Sequence, residues 1–321
     1  MRIIFLTSLI AALVLAAGAS AQPYPNRPVR FIVPYPAGGA TDIISRLIGD
    51  KLGAALGQQF VIDNRAGGGQ KIGTGLAAGA APDGHTILLV SITHTINPSL
   101  YAKLPYDTIK DFSPITIVAK SPLVLVVHPS IRAKSVKELI ALMKTQPGKL
   151  NCATSGIGSG GHLAAELFKS MAGVDMTFVP YRGGSLAYID LIGGQVDLMF
   201  TSPAATLAYA KAGKLRVLAT TGAKRSPATP ELPTVAEATG IRGYEAGLWY
   251  GVVAPAGTPR AIVRLLNAEI VKALQFPDVR DPLAVQAVEV VSSTPEEFAM
   301  YIKSEIAKWA KVIKDANIHA N

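Results

Sequence analysis

Pro34-Tyr35-Pro36-Ala37-Gly38-Gly39-Ala40-Thr41-Asp42 is the stretch on which the fold turns. Val29 to Val33 stands before it, apolar and β-branched at most positions. After it, from Ala40 to Leu56, the residues Ile43, Ile44, Leu47, Ile48, Leu52, Ala55 and Leu56 recur on one helical face. A strand that passes through a small, glycine-bearing turn into an amphipathic helix is the unit of an α/β sheet. The same grammar continues with a strand at Gln59 to Asp63, a turn at Gly67-Gly68-Gly69, an alanine-rich helix to Ala80 and a strand at Thr86 to Val90. The result is a β-α-β-α-β half.

A second half follows the same rules. Ser135-Val136-Lys137-Glu138 has the spacing of a capping box and opens a helix through Met143. Strands are expected near Asn151 to Ala153, Met176 to Tyr181, Val196 to Phe200 and Leu215 to Thr220. Helices are expected over Ser159 to Met171 and Gly183 to Ile192. Two apolar extended segments, Leu123 to Val127 and Leu248 to Ala254, stand between the halves and are the natural crossings between two lobes, taken as 22–122 with 248–321 and as 123–247. Beyond the second crossing, Thr258-Pro259 and Thr294-Pro295-Glu296-Glu297 are read as helix starts. The last helix carries Phe298, Ile302, Ile306, Trp309 and Ile313 on a core-facing stripe.

The chain has 321 residues, a formal charge of +9 and a single cysteine, Cys152. Residues 1–21 read as a signal peptide: a basic start, an apolar run from Ile3 to Ala17, and Ala19-Ser20-Ala21 before Gln22. The mature protein is therefore expected outside the cytoplasm, in the periplasm, where one cysteine cannot form an internal disulfide. Lysines and arginines are scattered singly without interleaved aromatics, so the positive charge reads as a field favouring anionic solutes and not as a nucleic-acid surface.

The chemistry is expected in the turns. Gly38-Gly39 precedes one helix, and Thr154-Ser155-Gly156-Ile157-Gly158 precedes another. Helix starts present unpaired amides and the positive end of the dipole, and they bind carboxylates without a charged side chain. In open α/β sheets the ligand crevice lies at the carboxyl ends of the strands. Candidate contacts are therefore Tyr35, Ala37, Gly38 and Gly39 in the first turn, Gly68 in the next, and Ser91, Thr93 and His94 after a strand. From the second half come Thr154, Ser155, Gly156, Gly158, Tyr181, Arg182, Gly183, Thr201 and Pro203. Asp42 is read as serving its own helix start, and His162 as a packed histidine.

Enzymatic readings have thinner support. Gly156-x-Gly158-x-x-Gly161 matches a dinucleotide fingerprint, and Asp175 stands near the acidic position such a site uses, so a nicotinamide-dependent oxidoreductase is a competing reading. There is no nucleophile elbow, phosphate loop, paired-cysteine or His-Glu-x-x-His spacing. No catalytic residue, cofactor or metal is expected.

Several segments together resemble one family: YPNRPVRFIVPYPAGGATDIISR, VIDNRAGGG, INPSLYAKLPYDTIKDFSPIT, FVPYRGGSLAYIDLIGGQVDLMF, LPTVAEA and GVVAPAGTP. Over essentially its whole mature length the chain resembles the solute receptors of the tripartite tricarboxylate transporter family, also called Bug receptors. The resemblance implies a type II periplasmic-binding-protein fold, two α/β lobes closing on one organic anion, and delivery to membrane permease subunits. It also implies that the turns of Tyr35, Gly38 and Gly39 and of Ser155, Gly156 and Gly158 grip a carboxylate through amides and water. Many relatives carry an acidic residue where this chain has Thr201, which favours a dicarboxylate or aromatic acid over an amino acid. A sensor subunit presenting the same ligand to a membrane signalling partner shares every one of these features.

Overall fold

The first strand is buried on both sides. Val29, Phe31 and Val33 enter one apolar cluster and Ile32 enters another, as expected of a strand covered by helices on each face. The computed structural model describes residues 24–319 apart from positions 182 and 228, so the signal peptide expected over 1–21 lies outside the described residues. The chain runs β1 (Val29–Val33), α1 (Ala40–Leu56), β2 (Phe60–Asn64), α2 (Lys71–Ala78), β3 (Thr86–Ser91), α3 (Ile92–Leu100), β4 (Phe112–Pro122) and β5 (Val124–Val127). It continues with α4 (Val136–Thr145), β6 (Asn151–Thr154), α5 (Gly160–Ala172), β7 (Thr177–Pro180), α6 (Gly184–Ile192), β8 (Leu198–Thr201), α7 (Pro203–Lys211) and β9 (Arg216–Thr220). The remainder is α8 (Val235–Thr239), β10 (Gly247–Pro255), α9 (Arg260–Ala273), α10 (Pro277–Val285), β11 (Glu289–Val290) and α11 (Pro295–Asp315).

Two sheets form, in the orders β11-β4-β10-β3-β1-β2 and β7-β6-β8-β5-β9. With the two-residue β11 set aside, they follow one plan. β1 is parallel to β2 and β3, and β10 runs antiparallel between β3 and β4. Likewise β6 is parallel to β7 and β8, and β5 runs antiparallel between β8 and β9. The architecture is therefore two α/β lobes of matching topology, although no repeat is visible in the sequence.

This plan puts the candidate turns on one edge of each sheet. The parallel strands of the first sheet end at Val33, Ser91 and Pro122, and β10 begins beside that last end, with Gly247 opposite Pro122. In the second sheet, Thr154, Pro180, Thr201 and Thr220 end the parallel strands, and β5 begins with Val124 opposite both Thr201 and Thr220. The chain passes from the first sheet to the second through Leu123 and returns to the first between Thr220 and Gly247. The carboxyl edges of the two sheets therefore face each other across the connections.

Helix α11 closes the structure. It packs on α3 and β4 of the first lobe and also on α5 of the second. Its start is a full capping box of Thr294 and Glu297. Two other expected caps differ. The Ser135 hydroxyl accepts the Glu138 amide at 3.2 Å, but the Glu138 carboxylate takes the Lys134 amide instead of completing the box. The Thr258 hydroxyl donates back to the Pro255 carbonyl at 2.7 Å, leaving α9 without a side-chain cap.

Candidate functional site

Two adjoining cavities open between the sheet edges. One, of about 620 Å³, is lined by Tyr35 to Thr41, by Ser91, Ile92 and Thr93, and by Gly158 to Gly160 with Leu248 and Tyr250. The other, of about 680 Å³, shares Gly160 and Leu248 with it and reaches Ser155, Ser185, Tyr188, Thr201 and Tyr209. Elements of both lobes thus wall a single cleft. None of these lining residues carries a charged side chain.

What the lining does carry is helix starts. The first residues of α1, α3, α5, α6 and α7 or the residues just before them all border the cleft. At α1, α6 and α7 no side chain caps the opening amides. Each start leaves several N–H groups without an intrahelical acceptor and adds the positive end of its dipole. An uncharged space ringed in this way favours an anion. Such a lining can accept carboxylate oxygens through main-chain hydrogen bonds, with the carbon skeleton left to shape.

The hydroxyl groups are networked. The Tyr35 hydroxyl is hydrogen-bonded to Ser91 Oγ, and burial raises the Tyr35 pKa, so the phenol stays protonated. In the second cavity, the Tyr188 hydroxyl lies 2.9 Å from Thr201 Oγ1 and 2.7 Å from Thr206 Oγ1, and donates toward the Ser202 carbonyl at 3.2 Å. These groups supply neutral donors and acceptors. Among the described residues that line the two cavities there is no carboxylate.

Of the residues nominated from sequence, Tyr35, Ala37, Gly38, Gly39, Ser91, Thr93 and Gly158 line the first cavity, and Ser155 and Thr201 line the second. Gly68, His94, Thr154, Gly156, Tyr181, Gly183 and Pro203 line neither. Arg182 lies outside the described residues. His94 is 2 % exposed, stacked on Tyr106 and edge-on to Phe112, because Ser91 caps α3 and the third helical residue turns inward. Tyr181 points its hydroxyl at Asp190 Oδ2, 2.6 Å away, and burial together with that carboxylate pushes its pKa up to about 12. Gly68 opens a short 3-10 turn, Gly183 precedes α6 at φ 114°, and Pro203 is buried as the first residue of α7.

Two nominated donors are already engaged. The Gly38 amide donates to Asp42 Oδ2 at 2.9 Å, and the Gly158 amide donates to His162 Nδ1 at 3.0 Å. The amides free to face a ligand are therefore those that follow them, at Gly39 to Thr41 and at Gly160 and Gly161. Gly161 allows this approach: a Cβ there would stand 2.3 Å from the Phe200 carbonyl oxygen. Leu248 and Tyr188 went unnoticed in the sequence. Leu248 lies far along the chain from the turns, and Tyr188 sits on the second turn of α6, where nothing local marks it as facing the cavity.

A third cavity, of about 580 Å³, lies between α11, the β11 edge and both connections. Unlike that of the cleft, its lining mixes lysines and glutamates with apolar side chains. Lys120 pairs with Glu245 and Lys308 with Glu305, and Lys224, Glu289 and Glu297 complete the charged set, so four carboxylates stand with three ammonium groups.

Residues 44–318 match the model of the tripartite tricarboxylate transporter family receptor. Protein BugT of Bordetella pertussis is 39 % identical over 308 residues, covering 95 % of this chain and 94 % of that one. The solved structure of R. palustris Rpa4515 with adipate is 38 % identical, with a TM-score of 0.76 over 92 % of this chain and all of that one (100 %). MatC from Rhodopseudomonas palustris with bound malate is 33 % identical, with a TM-score of 0.72 over 90 % of this chain and 100 % of that one. A shared length this complete, with the two-lobe topology and the uncharged cleft, leads to one conclusion: the chain belongs to the tripartite tricarboxylate transporter family of receptors.

Proposed function

We propose that this protein is a periplasmic receptor that captures one small organic acid and presents it to the permease subunits of a tripartite transporter. The lobes are 22–122 with 248–321, and 123–247, and they close over the ligand; residues 1–21 direct export and are removed. The observation that carries the reading is the cleft itself: an uncharged space bordered by five helix starts, three of them without side-chain caps. The adipate and malate bound in two related structures agree with that chemistry. The absence of a carboxylate beside Thr201 and Tyr188 favours a dicarboxylate or an aromatic acid over an amino acid.

Distance weighs against the oxidoreductase alternative. Asp175 follows the end of α5 and precedes β7, so it lies at the opposite end of a 13-residue helix from Gly156, about 20 Å away at 1.5 Å per residue. It is also paired with Lys169 at 2.8 Å. It cannot reach a ribose held at the glycine turn.

A thermal-shift screen of the mature protein against mono-, di- and tricarboxylates, aromatic acids and amino acids tests the reading. A ligand present at about 100 times its dissociation constant stabilises by about 2.7 kcal/mol. A shift given by dicarboxylates or aromatic acids, and abolished by Ala37→Trp at the cleft mouth, is the expected result. Shifts from amino acids alone would overturn the ligand class, and a shift untouched by Ala37→Trp would overturn the site.

A further inference from the structure

The two engaged glycine amides obey one rule. Gly38 and Gly158 each have a positive φ, 88° and 74°, and each donates to a side chain four residues ahead. Both acceptors, Asp42 and His162, are the third residue of the helix that follows. One is a carboxylate and the other an imidazole. Similar geometry reached with different chemistry, in lobes that share no sequence repeat, points to the bond and not to the residue type as the feature that matters.

We propose that Asp42 and His162 are positioning residues for anion capture, each locking its glycine turn so that the next amides converge on the carboxylate. The proposal rests on the cleft being the acid site. A left-handed glycine can swing its peptide plane at little cost. Holding the first amide leaves the following ones, at Gly39 to Thr41 and at Gly160 and Gly161, directed into the space between the lobes. Preorganised donors bind more tightly because the ordering cost has been met during folding.

The surroundings suit the role. The His162 side chain is 8 % exposed, its Nε2 stands 3.8 Å from Glu166 Oε1, and its ring meets Phe178 edge-on at 4.8 Å. The charged groups around it are Glu166 on its own helix, Lys169 over the Phe178 ring, and Asp175 paired with Lys169. With Nδ1 accepting from Gly158, the ring proton resides on Nε2. Burial lowers the His162 pKa to about 4, so the acceptor persists through the neutral range. Asp42 is 4 % exposed, and its charge is offset by Arg46 Nε at 3.0 Å and by Asn64 Nδ2 at 3.1 Å, so it does not repel the guest.

The test compares His162→Asn, whose Oδ1 stands where Nδ1 stood, with His162→Gln and His162→Leu, which leave that position without an acceptor. Calorimetry with adipate and with malate, at a temperature where circular dichroism shows every variant folded, reads the affinity. Binding within about twofold of wild type is expected for the Asn variant. A loss of about tenfold or more, or ~1.4 kcal/mol, is expected for the other two. The Gly158 amide resonance should move in the Gln and Leu variants and stay in place in the Asn variant. Asp42→Asn and Asp42→Leu repeat the comparison in the other turn and stand in for any His162 variant that does not fold. Wild-type affinity in the Leu variants overturns the proposal. If the wild type binds none of the carboxylic acids screened, or Ala37→Trp binds as tightly as wild type, the cleft reading fails instead. If Ala37→Trp abolishes binding while His162→Leu and Asp42→Leu bind normally, only the positioning role is lost.

Discussion

Thr221 and Leu123 are joined in both directions. The Thr221 amide donates to the Leu123 carbonyl at 2.8 Å, and the Leu123 amide donates to Thr221 Oγ1 at 2.8 Å. The same hydroxyl is hydrogen-bonded to the Ala246 carbonyl, and the Ala246 amide donates to the Thr221 carbonyl at 3.0 Å. One buried threonine at the end of β9 therefore fastens both connections between the sheets, at the point where the lobes would turn about each other.

Thr221→Val keeps the shape and removes the hydroxyl. It leaves a buried amide at Leu123 and weakens the satisfaction of the carbonyl at Ala246. A loss of about 1–3 kcal/mol is expected from the stranded donor, read as a lower urea midpoint with an unchanged slope. A loss below about 0.5 kcal/mol, the scale of a neutral surface change, would show that the hydroxyl does not fasten the joint.

Glu305 on α11 accepts from Trp249 Nε1 of β10 at 3.1 Å and from Trp309 Nε1 at 2.9 Å, and it pairs with Lys308. Glu305→Leu strands two indole donors. It should cost about 2–5 kcal/mol, with a change in the near-ultraviolet tryptophan signal, and Glu305→Gln should cost less because one acceptor oxygen remains. Equal losses in the two variants would contradict this account.

Glycine positions separate by what a methyl group would meet. At Gly161 it would stand 2.3 Å from the Phe200 carbonyl oxygen, while at Gly38 nothing lies within 4 Å. Gly161→Ala is expected to destabilise by about 1–3 kcal/mol through overpacking and to weaken acid binding as α5 shifts. Gly38→Ala meets only the left-handed strain, about 1–2 kcal/mol. Melting curves and titrations of the pair check the order.

Acid should destabilise the protein. Burial lowers the pKa values of His94 and His162 from 6.5 to about 4. Between those limits the unfolded chain binds more protons than the folded one, so stability is fully present above about pH 6.5 and falls as pH drops toward about 4. His94→Leu removes one titrating group. Its stability should decline less steeply over that window than wild type, and parallel curves would exclude His94 as a contributor.

Much of this was legible in the sequence because it is local. The turn at Pro34 to Asp42, the helical stripe of Ile44, Ile48 and Leu52, and the capping box of Thr294 and Glu297 all lie within a few turns of chain. The four-residue spacings from Gly38 to Asp42 and from Gly158 to His162 were also in plain sight, although only the engaged amides reveal their use. Helix α3 was missed because ITHTINPSL is a poor helix former with Pro98 inside it, held by the Ser91 cap and by packing on α11. Strand β4 was missed because its prolines and Lys120 break any apolar run, and pairing with β10 makes it a strand.

The sequence alone determined the alternation of strands and helices, the uncharged glycine turns and the family resemblance, since each is written in neighbouring residues. Tertiary structure decided the rest: the antiparallel strands set between β3 and β4 and between β8 and β9, Leu248 beside turns far from it in the chain, Tyr188 turned onto Thr201 and Thr206, Thr221 on both connections, and His94 turned into the core. The physical reason is burial. A side chain's role depends on which surfaces exclude water around it, and that is settled only when segments distant along the chain come together.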